Sequence, residues 1–307
     1  MVDLIKISVV VPAYRARKYL PFALASIAKQ HLSPLEILIV DDHSPEPVDD
    51  IVSKFKLQAP SISTILIRHE ENTGLGAARN TGIAAANGDF VAFLDHDDIW
   101  KPEHLKCLGD CLSDNNADLA FCSVNMFSDD TRNFTVWGPR DYSAINNLPF
   151  ELYKSCFITP SGVVARRDAL VSAGGFSTDK SIHMCEDLDL WLRLLKDRKT
   201  FAYSENASVY YRKHSESATG TPAYMARESA RVRSIHCHWI PGSRRSVKRI
   251  LSKYYWDAAT ATCLARRSDA ILSLGEALLI GASTPIESIA GFLSWSKALI
   301  KSTFFQQ

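Results

Sequence analysis

The run Ile7-Ser8-Val9-Val10-Val11-Pro12 is short, β-branched and closed by proline, which predicts a buried strand. Leu20, Leu24 and Ile27 then recur at helical spacing up to Gln30. Leu35 to Val40 predicts a second strand, ending at Asp41-Asp42-His43-Ser44, and Val48, Ile51, Val52 and Phe55 mark a second amphipathic helix. Ser63 to Arg68 reads as strand three. After the turn at Asn72-Thr73-Gly74, an alanine-rich helix is expected from about Gly76 to Asn87, stopped by Gly88. Phe90 to Leu94 is the fourth strand, and it runs directly into Asp95-His96-Asp97-Asp98. Strands alternating with helices predict parallel βαβ units with right-handed crossovers. The expected fold class is therefore α/β, a doubly wound, mostly parallel nucleotide-binding sheet.

The second half is less regular. Leu105, Leu108 and Leu112 mark a helix, and Asp118 to Val124 a strand. Residues 125–160 lack a clear period and read as a long, partly irregular insertion. Ser161 to Ala165 is a short strand, Asp168 opens a short helix, and Glu186-Asp187 opens another to about Arg198. Phe201 to Arg212 is strand-like, and from about Pro222 the pattern is helical with a break at Trp239 to Ser243. We expect a catalytic domain over 1–220 and a helical extension over 221–307.

Composition changes this picture in three ways. The net charge of +1 gives no support to a nucleic-acid binder. Residues 1–220 carry 23 basic against 29 acidic side chains, while 221–307 carry 12 against 5. That tail suits an anionic surface such as a membrane, a second subunit, or merely a solvated basic face. Trp295, Phe304 and Phe305 beside Lys297 and Lys301 fit an interfacial anchor or core packing equally. The seven cysteines are scattered, without a C-x-x-C pair, as expected of reduced thiols in a cytoplasmic protein. The first residues lead straight into a strand and no stretch reaches 18 apolar residues, so neither a leader nor a spanning segment is expected.

The candidate chemistry centres on the acidic stretch after strand four. In extended chain Asp95 and Asp97 point the same way, and two hard oxygen donors suit Mg²⁺ or Mn²⁺ with a diphosphate. The first strand is followed by Pro12-Ala13-Tyr14-Arg15 and by neither a G-x-G-x-x-G nor a P-loop, which disfavours dinucleotide and P-loop chemistry.

Taken together, the motifs resemble those of the family 2 glycosyltransferases, inverting enzymes of the GT-A fold that use nucleotide-diphosphate sugars. The matching pieces are Val10-Val11-Pro12-Ala13-Tyr14, Ile39-Val40-Asp41-Asp42-His43-Ser44, Asn72-Thr73-Gly74 and Ala78-Arg79-Asn80-Thr81-Gly82. They continue with Gly88-Asp89, Leu94-Asp95-His96-Asp97-Asp98, Gly174-Gly175-Phe176, Glu186-Asp187 and His214, in the family's order across roughly 5–217. The resemblance implies that Pro12, Ala13 and Tyr14 line a uracil pocket and that Asp42 accepts from the uracil NH. It gives Arg79 a base or phosphate contact, Asp95 the ribose or the ion, and Asp97 and His214 direct metal ligation. Imidazole beside carboxylates favours Mn²⁺ slightly over Mg²⁺.

Asp187 is the family's candidate base. Helical spacing also prefers it, because it borders the stripe Leu188, Trp191, Leu192 and Leu195, while Glu186 falls with Asp189 and Arg193 on a charged face. The helix dipole would keep it ionised. The implied partners are a UDP-sugar donor and a glycan or lipid-linked acceptor, with the protein cytoplasmic or peripheral at the inner face of the cell membrane. The rivals are a non-catalytic nucleotide-sugar-binding partner, which would lack turnover, and a transferase using a dTDP- or GDP-sugar. A nucleotidyltransferase would need a Gly-rich basic loop after strand one.

Overall fold

The first expected strand is β1 (Ile7–Ala13) in the computed structural model, which describes residues 5–128, 130–139, 145–214, 222–264 and 295–296. It pairs in parallel with β2 (Glu36–Asp41) and β4 (Phe90–Phe93), and β2 pairs in parallel with β3 (Ser63–Arg68). Every residue of β1, β2 and β4 is buried, which is why these strands read as continuous apolar runs and not as alternating ones. The crossovers are α1 (Leu20–Ala28), α2 (Asp49–Gln58) and α3 (Leu75–Ala85), within two residues of expectation at most ends.

The other half of the sheet departs from the parallel pattern. β5 is only Ile99–Trp100, and α4 (His104–Asn115) leads into β6 (Leu119–Phe127). β6 outruns the expected strand by three residues and pairs with β7 (Thr135–Trp137), inside the region read as irregular. A 3-10 turn over Pro160–Gly162 precedes β8 (Val163–Arg166) and α6 (Arg167–Ser172), and α7 (Glu186–Lys196) leads to β9 (Phe201–Arg212). The sheet order is β3-β2-β1-β4-β8-β6-β9-β5. β8 runs antiparallel to both β4 and β6, and β9 is parallel to β6 but antiparallel to β5.

Two acidic groups inside this frame are explained by hydrogen bonds. Glu36 opens the buried β2 because Ser8 Oγ donates to it at 2.7 Å and the Asn87 amide at 2.7 Å. Asp41 accepts from the Ser44 amide at 2.9 Å and from Arg68, so it closes β2 as a turn residue.

Two compact units emerge. One comprises Met1–Leu148, Ser155–Thr178 and Glu186–His214; the other comprises Pro149–Lys154, Asp179–Cys185 and Ser215–Gln307. The single boundary expected at 220 falls outside the described residues, and two earlier segments belong to the second unit. In that unit α8 (Pro222–His236) and α9 (Arg244–Leu264) flank the expected break. Glu228 of α8 accepts from the Met184 amide at 2.7 Å and pairs with His183 Nδ1 at 2.8 Å, which draws Asp179–Cys185 in. Buried Arg233 donates to the Tyr153 carbonyl at 2.6 Å and lies 3.6 Å from the Tyr254 ring centre, which draws in α5 (Leu148–Lys154). Trp295 packs against a small cluster around Trp256; Lys297, Lys301, Phe304 and Phe305 lie outside the described residues. Among the described residues, no helix is long and apolar enough to cross a membrane, and Cys107, Cys111, Cys122, Cys156, Cys185 and Cys237 form no disulfide.

Helix α3 sits hard against β1 through Gly82. A methyl group there would meet both methyls of Val10, Cγ2 at 2.7 Å. Gly82→Ala is therefore expected to cost about 2 kcal/mol by overpacking. Urea unfolding of the variant checks this; an unchanged midpoint would contradict the close approach.

Candidate active site

The expected site residues all belong to the first unit. Pro12 and Ala13 end β1, and the Asp42 amide donates to the Ala13 carbonyl at 2.8 Å, which locks the ends of β1 and β2 together. Tyr14 follows with its ring 38% exposed, open to a ligand. Both strand ends then turn sharply, since Arg15 (φ 53°) and His43 (φ 59°) occupy the left-handed region.

Asp42 is buried and heavily engaged by its own chain. Its Oδ1 accepts from the Thr73 amide and hydroxyl, each at 2.9 Å, and contacts His69 Nδ1 at 2.7 Å. Its Oδ2 accepts from the Gly74 amide at 2.8 Å. Burial opposes ionisation, but the donors from Thr73, His69 and Gly74 outweigh it and hold the carboxyl below the usual aspartate range. His69, whose Nε2 lies 2.9 Å from Thr81 Oγ1, was not singled out in the sequence; nothing local distinguishes it from a surface histidine.

The acidic stretch differs from expectation. Residues 95–98 form a turn in which the Asp98 amide donates to the Asp95 carbonyl at 3.0 Å, so the alternation of an extended chain does not apply. Asp95 and Asp97 consequently part company. Asp95 Oδ1 accepts from Arg79 Nη2 at 2.8 Å, while Asp97 Oδ2 lies 2.9 Å from His214 Nε2. Of the residues expected to reach the ion, Asp97 and His214 converge, Asp95, expected at the ribose or the ion, is engaged by Arg79, and no group of three potential ligands forms among the described residues. A convergent carboxylate–imidazole pair has the donor chemistry to hold a hard divalent ion. Asp98 is wholly buried, and burial together with Asp97 and Asp95 pushes its carboxyl upward. Such a concentration of negative charge also suits a cation.

Arg212 holds this arrangement and was missed. Its amide donates to Asp98 Oδ1 at 2.9 Å and its Nε to the Asp97 carbonyl at 2.9 Å. The guanidinium carbon lies 4.7 Å from the Tyr19 ring centre and 4.5 Å from that of Phe127. Spacing offered one signal: Arg212 and His214 are two apart at the end of a strand, so they share a side.

Arg79 is also corrected. It is 1% exposed, and its two terminal nitrogens bond to Glu186 and Asp95, so its guanidinium is committed within the protein and not presented to a base or phosphate. Glu186, expected on a charged face with Asp189 and Arg193, is buried at 3% exposure, and Gly76 backs onto the neighbouring segment, where a methyl would meet the Ser177 carbonyl at 2.5 Å. Asp189 and Arg193 pair at 2.8 Å, and Arg193 caps the carbonyls of Ala173 and Gly175. Asp187, partly exposed in the first turn of α7, accepts from the Leu188 amide at 2.6 Å. Burial overrides the helix-terminus effect and pushes its carboxyl up to about 6, against the pull of Arg79.

A curled α/β sheet whose acidic and basic side chains gather at the C-terminal ends of β1, β2 and β4 is the frame of a nucleotide-binding protein. The family model for glycosyl transferase family 2 matches residues 8–172, and the chain belongs to that family. It is 32% identical over 170 residues to an uncharacterized glycosyltransferase of Nostoc sp., covering 54% of this chain and 52% of that protein. It is 30% identical over 198 residues to the Escherichia coli UDP-Glc:alpha-D-GlcNAc-diphosphoundecaprenol beta-1,3-glucosyltransferase WfgD, covering 64% and 72%. The chain thus spans about half the length of the Nostoc relative, and 38% of the succinoglycan biosynthesis protein ExoW of Rhizobium meliloti. S. aureus TarS in complex with UDP-GlcNAc superposes with a TM-score of 0.70 at 19% identity, over 97% of this chain and 90% of that one. The mannosyltransferase PcManGT of Pyrobaculum calidifontis, with GDP-Man and Mn²⁺, gives 0.65 at 17% identity over 98% and 88%. The fold is GT-A, as the sequence led us to expect.

The hydrogen bonds of Asp42 give a prediction with a definite sign. A carboxyl whose folded pKa is depressed stabilises the fold above its ordinary value of 3.8 and loses that contribution as pH falls through the folded value. Asp42→Ala should cost about 2 kcal/mol at pH 7. Thermal unfolding should show the gap to wild type constant down to pH 3.8 and closing below it.

Proposed function

We propose that the chain transfers a sugar from a UDP-sugar to a hydroxyl of a glycan or lipid-linked acceptor, with inversion at the anomeric carbon. The observation that carries this reading is that the Asp97–His214 pair and the base candidate Asp187 belong to one charge cluster. Asp187 is near enough to Asp95 for that charge to lift its pKa, and Arg79 bridges the two segments. The names of the relatives point the same way: WfgD uses UDP-Glc, and TarS was solved with UDP-GlcNAc.

Pro12, Ala13 and Tyr14 would form the wall of the base pocket, with the Tyr14 ring, 5.4 Å from the Arg15 guanidinium carbon, stacking on uracil. Asp42, anchored by Thr73 and Gly74, would accept from the ring NH. Asp95 would take the ribose hydroxyls. Asp97 and His214 would hold Mn²⁺ or Mg²⁺, which when bound offsets charge on the departing diphosphate. Asp187 would remove the acceptor hydroxyl's proton as that oxygen attacks from the face opposite the leaving group. With its carboxyl at about 6, it is largely ionised at neutral pH yet more basic than an ordinary aspartate. On this reading the protein works at the cytoplasmic face of the membrane, where a lipid-linked acceptor is reached and the basic segment 221–307 meets an anionic surface.

Calorimetric titration with UDP, in Mn²⁺ and then in EDTA, tests the donor site. Binding should require the metal and weaken at least about tenfold in Asp97→Ala; metal-indifferent binding would remove the ion from the scheme, and no binding would remove UDP. UDP release from UDP-glucose or UDP-GlcNAc with acceptor present tests the chemistry. Asp187→Asn should lower it about 100-fold or more, and the wild-type rate should decline as pH drops through about 6, where the base becomes protonated. Tight UDP binding without turnover on any acceptor would favour the non-catalytic reading.

A further inference from the structure

Glu186 and Arg79 take no chemical step in the scheme above, yet they are among the most deeply buried ionisable groups around it. Arg79 is 1% exposed and Glu186 3%, and they stand 107 positions apart in the chain. Burying either alone would be costly, and removing one partner of a buried pair leaves an uncompensated charge. The neighbours on each side make the pair informative. Arg79 Nη1 donates to Glu186, which immediately precedes Asp187; Nη2 donates at 2.8 Å to Asp95, two residues before Asp97. One guanidinium therefore spans the start of α7 and the turn after β4. Phe176 packs under it, with its ring centre 5.1 Å from the guanidinium carbon.

We propose that Glu186 and Arg79 are positioning residues that couple the donor end of the site to the base end. The Glu186 carboxylate shares the Arg79 charge with Asp95, and this sharing leaves Asp95 available to the donor. Without Glu186, the buried guanidinium has Asp95 as its sole hydrogen-bonded carboxylate and competes with the donor's ribose hydroxyls for that group. A change beside the base thus weakens binding at the opposite end. The inference rests on the proposed donor site for its functional half, but the physical tie stands apart from it.

Two measurements on the full chain separate these parts. The first is a thermal-unfolding cycle of Glu186→Ala, Asp95→Ala and the double variant, with no ligand present. A tie through Arg79 makes the shifts non-additive by about 3 °C; additive shifts overturn the inference. The second is UDP titration in Mn²⁺. Glu186→Ala should bind about fivefold more weakly, and Glu186→Gln, whose amide oxygen still accepts from Arg79, should recover a substantial part. A merely structural Glu186 would lower stability and leave UDP affinity alone, so unchanged affinity in Glu186→Ala beside weakened affinity in Asp95→Ala overturns the coupling. If wild type binds no UDP, the donor-site reading falls and takes the functional half with it, while the unfolding cycle still judges the tie.

Discussion

A buried guanidinium shared between two carboxylates is the constraint around which this site is arranged. Arg79 cannot be solvated where it lies, so it must be neutralised by groups that come to it. Those groups arrive from the end of a central parallel strand and from the first turn of a helix late in the chain. Satisfying one charge therefore aligns two segments, each of which carries a further acidic residue, Asp97 in one and Asp187 in the other. Arg212 plays a similar part nearby, tying the end of β9 to the Asp97–Asp98 turn.

The parallel half of the sheet was legible because its strands are buried on both faces and announce themselves as apolar runs between helices. The antiparallel half was not. β5 is two residues long and follows an acidic turn, and β7 is exposed at all three positions, so neither carries a pattern that local reading detects. The second unit gathers Pro149–Lys154 and Asp179–Cys185 through long-range contacts such as those of Arg233 and Glu228, and such contacts have no period.

The candidate residues were legible as a set through the family resemblance, but their connections were not. Two-residue spacing suggested that Asp95 and Asp97 act together, and the hydrogen-bonded turn sends them to different partners. Helical spacing put Glu186 with Asp189 and Arg193 on a charged face apart from the apolar stripe, and spacing alone does not say what that face meets. Here that side of α7 is covered, and each charge has found a partner within the fold. Pairings between residues 79 and 186, or 98 and 212, depend on sheet order, which no window of sequence contains.

The glycines of α3 carry a further consequence. Gly76 lies against the Ser177 carbonyl and Gly82 against Val10 of β1, so the helix lies in the structure like a rod shaved on two sides. The seating of the guanidinium is therefore set partly by atoms that are not there: a methyl at position 76 would meet the Ser177 carbonyl at 2.5 Å and press on the segment that carries Phe176 beneath Arg79.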